Sequence, residues 1–215
     1  MTNVAAIEDI AASLFQDVPG FKGWSQRKRP RICPFDRLIG LVPDEARILD
    51  VGCGSGLFLG LLVEMGKRPV GVGFDMSRDA IAVARRTQNQ YSLPATVTFE
   101  LQSVEDDWPG GLYDVVSMID VMHHIPPAEQ SAIFRLASSR LKPGGMMLYK
   151  DIASDDRLRS VANRLHDLIL ARQWIHYLPG DQARKAAADA GLAEESYQRV
   201  NCLWYPHEIY VFRKV

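Results

Sequence analysis

A chain of 215 residues with 25 basic and 26 acidic side chains carries a formal net charge of −1, which gives no general electrostatic reason to bind a polyanion. The length suits one well-buried core without requiring a second. Cys33, Cys53 and Cys202 are scattered, lack metal-ligand spacing and fit a reducing compartment such as the cytoplasm, and no apolar run reaches the roughly 18 residues that would suggest a membrane span.

The N-terminus carries Glu8 and Asp9 where a secretion signal would be basic, so it reads as mature protein. Residues 4–16 put Ile7, Ile10, Ala11, Leu14 and Phe15 on one helical face, as packing or as a lid. From Phe21 to Arg31 the chain holds five cations and Trp24. This stretch is expected to be irregular and solvated; a nucleic-acid patch, an acidic-carrier dock and a fold-back onto a cofactor are the alternatives. A helix is expected from Phe35 to Val42. Residues 1–34 are thus an N-terminal helix and cap, and residues 35–215 the main domain.

Arg47-Ile-Leu-Asp-Val-Gly-Cys-Gly-Ser-Gly56 is a buried strand that delivers a side-chain-poor loop into a helix bearing Leu57, Leu61, Leu62 and Met65. Such a loop offers free N–H groups to a ligand at the carboxyl edge of a sheet. A second apolar run, Val70 to Asp75, closes on a carboxylate 23 positions beyond Gly52, near the roughly 20-residue interval expected for a ribose-binding acid. Ser77 is placed to cap the next helix, Arg78 to Tyr91, which Pro94 ends.

Thr96 to Leu101 reads as a third strand and Val115 to Ile119 as a fourth, running into Asp120 and then Met122-His123-His124-Ile125. Two adjacent histidines should point in different directions, one anchoring the loop and the other, His123 by preference, facing an acceptor as a general base. Pro126-Pro127 opens a helix, and Pro143-Gly144 turns into a fifth strand ending at Tyr149-Lys150-Asp151. A helical pattern over Asp155 to Trp174 forms an insertion at about 153–180, in which His166, Trp174, His176 and Tyr177 are candidate pocket residues. The helix Asp181 to Ala190 and a hairpin of Glu195 to Asn201 with Glu208 to Lys214, turning about Pro206, complete the chain.

The three loop glycines do not satisfy G-x-G-x-x-G, because the sixth position is Leu57 or Leu59 in the two possible registers. The pattern D-x-G-x-G-x-G from Asp50 instead resembles the first motif of the class I S-adenosylmethionine-dependent methyltransferases. Tyr113 to Ile125 and Leu141-Lys-Pro-Gly-Gly-Met-Met-Leu148 are similar to that family's fourth and fifth strands. The resemblance implies an α/β, Rossmann-like three-layer sandwich with a seven-stranded, mostly parallel sheet and an antiparallel last strand.

It further implies S-adenosyl-L-methionine as cofactor, with S-adenosyl-L-homocysteine as product. Asp50, Gly52, Cys53, Gly54 and Gly56 would hold the methionine end, Asp75 the ribose, and Met76 one face of the adenine. Ser103 and Val104 would read the adenine edge, with Glu105 or Asp106 as substitutes, and Ile119 and Asp120 would line the sulfonium. His123 and His124 are the catalytic candidates, and no metal is implied. The expected acceptor is a small molecule, aromatic or lipid-like, free or on an acyl carrier protein. Asp120-Val-Met-His stands where a nucleic-acid amino methyltransferase would carry Asn- or Asp-Pro-Pro-aromatic, so nucleic acid is not expected. That activity, and a non-catalytic cofactor-binding partner, remain the alternatives.

Overall fold

A computed structural model of the chain describes residues 4–90, 93–94, 96–153, 176–203 and 205–215. Its residues gather into two compact units, Met1–Val115 and Val116–Val215. The first holds α1 (Val4–Leu14), α2 (Gly20–Lys28), α3 (Phe35–Leu41), β1 (Arg47–Val51), α4 (Leu57–Glu64), β2 (Val70–Asp75), α5 (Arg78–Gln90) and β3 (Val97–Leu101). The unit boundary falls inside β4 (Tyr113–Ile119), after which come α6 (Pro127–Arg140), β5 (Leu141–Ile152), α7 (Gly180–Asp189), β6 (Leu192–Cys202) and β7 (Tyr205–Lys214). The seven strands take the order β3-β2-β1-β4-β5-β7-β6. This is the expected Rossmann-like class.

In the first unit β2 pairs in parallel with both β1 and β3, with Val51 opposite Phe74 and Asp75 opposite Leu101. Ile48, Leu49 and Val51 are fully buried, which is why β1 reads as a nearly continuous apolar run. Ile7, Ala11 and Leu14 of α1 are buried too, and Leu14 lies against α4 so closely that a Cβ on Gly60 would come within 3.1 Å of it.

The stretch expected to be irregular is instead the helix α2 followed by a 3-10 turn at Arg29–Arg31. Its physical cause is local. The Arg27 guanidinium donates to the carbonyls of Phe15 at 2.7 Å and Val18 at 3.3 Å, satisfying acceptors just beyond α1. Arg31 pairs with Glu8 at 2.7 Å. Two of the five cations therefore hold the N-terminal region together.

In the second unit β7 runs antiparallel to β5, from Met146 opposite Arg213 to Ile152 opposite His207, and antiparallel to β6. The hairpin is longer than expected, and Pro206 lies within β7 opposite Asn201 rather than at the turn. As the second residue of the strand, it can lack an N–H at little cost to the ladder. Phe134, Tyr149, Tyr210 and Phe212 form an aromatic cluster at centroid distances of 5.4–6.2 Å. The expected helical insertion, with His166 and Trp174, falls largely on residues 154–175, outside those described.

Candidate active site

The glycine loop is backbone geometry before it is chemistry. Gly52, Gly54 and Gly56 have φ of 65°, 56° and 78°, so β1 turns into α4 through conformations that side chains disfavour. Gly54 would project a Cβ into open space, whereas one on Gly56 would strike the Phe99 ring at 2.6 Å. Gly54 thus leaves room beside the loop, and Gly56 lets β3 close in.

The loop is tied to β2 twice. Cys53 N–H donates to the Phe74 carbonyl at 3.0 Å, and Gly54 N–H to Asp75 Oδ2 at 2.9 Å. The other Asp75 oxygen accepts from Ser77 N–H at 2.8 Å, and Ser77 Oγ accepts from Ala80 N–H at 3.3 Å as the expected helix cap. The predicted ribose acid is therefore oriented by both neighbouring segments, and each of its oxygens keeps further acceptor capacity. Asp50 is 2% exposed, and Met76 is 73% exposed. Burial, then Asp50, then Asp75 push the Cys53 thiol well above its ordinary value, which keeps it protonated.

After β3 the chain folds back on itself. Ser103 N–H donates to Asp106 Oδ2 at 2.9 Å, and Ser103 Oγ accepts from Glu105 N–H at 3.3 Å. Trp108 is buried, packs on Phe74 at 5.3 Å and donates from its indole to the Val104 carbonyl at 3.0 Å. The adenine-edge candidates thus sit in a turn braced by Asp106 and Trp108. Trp108 escaped the sequence reading because it lies beyond the strand that periodicity picks out.

At the tip of β4, Ile119 is buried and Asp120 takes φ 58°, a left-handed conformation, with its N–H on the Lys150 carbonyl at 2.9 Å. The next turn, Met122–His124, carries the two histidines. His123 is 6% exposed; its N–H donates to Asp151 Oδ2 at 3.2 Å and its Nδ1 lies 2.6 Å from Asp151 Oδ1. His124 is exposed. The two ring centroids lie 4.2 Å apart with their planes tilted by 51°, yet His123 is buried and His124 exposed, so the pair divides between two environments. The anchored ring is His123, the one expected to face the acceptor.

Burial pushes the His123 imidazole down, but the Asp151 charge, its hydrogen bond and the Asp120 charge outweigh that, so its pKa is raised above the ordinary 6.5. Gln130, on α6, clamps the turn by donating to the carbonyls of Met122, Ile125 and His176, while His176 N–H donates to the His123 carbonyl at 2.8 Å. Tyr177 lies with its ring 6.1 Å from that of His123. Of the candidate pocket residues, His176 and Tyr177 are therefore brought to the turn. Asp151 and Gln130 were missed as partners because they come from 28 and 8 positions away.

Atoms of Asp120, His123 and Asp151 lie within 4.8 Å of one another, a spacing that a cation could bridge. Lys150, wholly buried, already brings a cation there, its ammonium 2.5 Å from Asp120 Oδ1.

The sequence pattern of a family described as a methyltransferase domain matches residues 24–197. Over 109 residues the chain is 34% identical to the ubiquinone biosynthesis O-methyltransferase of Xanthomonas axonopodis pv. citri (strain 306), covering 50% of this chain and 43% of that protein. The chain thus spans less than half the length of that curated relative. Among solved structures, magnesium protoporphyrin IX methyltransferase from Synechocystis PCC 6803 with bound SAH superposes with a TM-score of 0.71 at 20% identity, over 96% of this chain and 94% of that one. An O-methyltransferase family 2 protein from Planctomyces limnophilus DSM 3776, in complex with apigenin, gives 0.70 at 18% identity, over 100% and 62%. At these identities the structural likeness concerns the fold.

Proposed function

Because this chain belongs to the class I S-adenosylmethionine-dependent methyltransferases, we propose that it methylates a hydroxyl of a small acceptor, with His123 as general base and Asp151 as the group that orients it. The observation that carries this reading is the 2.6 Å contact between His123 Nδ1 and Asp151 Oδ1. A carboxylate on Nδ1 fixes the tautomer and leaves Nε2 to take a proton. A hydroxyl has a proton to lose as it attacks, so a base has work to do.

Bound S-adenosylmethionine supplies an electrophilic methyl group on its sulfonium. The residues here suit it: Gly54 leaves open space beside its backbone, and Asp75 faces the loop with acceptor capacity to spare. In the proposed arrangement Asp50, Gly52, Cys53, Gly54 and Gly56 hold the methionine end and Asp75 accepts from the ribose. Met76, Ser103 and Val104 take the adenine, and Ile119 with Asp120 lines the sulfonium. The protonated Cys53 thiol offers no competing nucleophile. Holding the acceptor in line can supply roughly 7–11 kcal/mol, and the base adds about 10²- to 10⁴-fold.

A small aromatic or lipid-like acceptor is supported by the name of the relative at 34% identity and by the nearly neutral chain. Arg27 and Arg31, engaged within the N-terminal region, weaken the case for that stretch as a dock for an acidic carrier or nucleic acid. The exposed His124 is assigned to contact with the acceptor rather than to proton transfer. The test is transfer of radiolabelled methyl from the cofactor into fractionated extract, with calorimetry of cofactor binding alongside. Label in the small-molecule fraction, lost in His123→Ala with cofactor affinity kept, is the expected result. Label in nucleic acid, or binding with no transfer into any fraction, would overturn it.

A further inference from the structure

Beside His123 lies a second ion pair that proton transfer does not use. Lys150 is 0% exposed, and a lysine is almost never fully buried unless its charge is met. It meets Asp120 twice: its ammonium lies 2.5 Å from Asp120 Oδ1, and its carbonyl accepts from Asp120 N–H at 2.9 Å. Asp120 is one of two non-glycine residues with positive φ among those described. A conformation of that kind persists where the surroundings over-determine it, as these two bonds do.

The groups around the His123 turn come from five segments. Asp151 and Lys150 are on β5, Asp120 is at the tip of β4, and His124 shares the 3-10 turn. His176 and Tyr177 precede α7, and the neutral Gln130 comes from α6. Two carboxylates and one ammonium therefore act on one imidazole. We propose that Lys150 is a positioning residue: by pairing with Asp120 it fixes the strand-tip carboxylate and sets the charge that His123 feels.

The consequence follows from Coulomb's law in a buried site. With Lys150 present, the charge of Asp120 is offset in part at His123. With Lys150 gone, two uncancelled carboxylates face the imidazole and hold its proton more tightly, so the base works only at higher pH. The Lys150 charge lowers the proton affinity of His123 while those of Asp151 and Asp120 raise it, in keeping with this geometry. The catalytic part of the inference rests on His123 being the base; its placement does not.

The experiment is NMR titration of the His123 imidazole in the full chain without cofactor, for the wild type, Lys150→Met, Asp120→Asn and the double variant. Lys150→Met is expected to titrate at higher pH than wild type, Asp120→Asn at lower pH, and the double variant near wild type. Turnover of Lys150→Met should fall about tenfold at pH 7 and recover towards pH 9. Unmoved titrations, or the two single variants moving in the same direction, would overturn the proposal. If Lys150→Met does not fold, Asp120→Asn decides alone, a downward shift supporting the proposal and no shift ending it. Titrations that move as expected, beside full turnover in His123→Ala, would keep the role of Lys150 and remove the general-base reading.

Discussion

The glycine loop with Asp75 and the cluster at His123 are built by opposite means. Around Gly54 and Asp75 the contacts are made by backbone N–H groups of a loop and a helix start to one carboxylate. At the other, four ionisable side chains, those of His123, Asp120, Lys150 and Asp151, lie together and largely buried, the last three arriving from two strand tips about 30 residues apart. A backbone cradle tolerates change in its neighbours, because its donors belong to every residue. A buried charge cluster does not, since each charge is the solvent of the others.

The sharpest break in that comparison is His123→Ala, which should lower kcat by about 100-fold or more while leaving cofactor affinity unchanged, as single-turnover kinetics and calorimetry would measure. An effect on affinity instead would make the histidine part of the cradle. Removing one member of the second pair tests the cluster as a structural unit. Lys150→Met should cost about 3–5 kcal/mol of unfolding free energy by denaturant titration, because it strands a carboxylate, and adding Asp120→Asn should recover most of it. At the other end, Asp75→Ala should weaken cofactor binding by more than about tenfold, the loss of one charge-assisted contact, with far less effect on stability than Lys150→Met. Gly54→Ala should cost about 1–2 kcal/mol of stability through its left-handed φ, although its Cβ meets nothing among the described residues. Any additional loss of cofactor affinity would then report the ligand lying where that methyl projects.

The same contrast explains what could be read before the fold was known. The cradle was legible because its requirement is written residue by residue. Glycines at alternate positions after a buried strand, and an acid closing the next one, have few other uses. The cluster was not legible, since Tyr149-Lys150-Asp151 is also what an ordinary strand end looks like. Nothing local links Asp151 to His123; only the register of β5 against its neighbours brings them within 2.6 Å. The helix α2 was missed for a related reason: a glycine- and cation-rich sequence has poor helical propensity. Here Arg27, bonded to two carbonyls at the end of the previous helix, supplies the tertiary contact that propensity arguments omit.

The smallest effect expected is the pH dependence of stability, and it tests whether the cluster is tuned or merely satisfied. His123 has a pKa raised in the folded protein above its ordinary 6.5, with burial opposing and Asp151 and Asp120 favouring the charged form. A raised folded value means that the native state binds the proton more tightly than the unfolded chain does. The stabilisation is then fully present below about pH 6.5, the unfolded value, and is lost as pH rises through the folded one. Denaturant midpoints should therefore drift downward on the alkaline side of pH 6.5 for the wild type, and His123→Gln should remove that component. In Asp120→Asn the drift should shrink, because one of the charges holding the proton has gone while Lys150 remains. A drift of equal size in both proteins would mean that His123 responds to Asp151 alone, and the two ion pairs would then be neighbours without coupling.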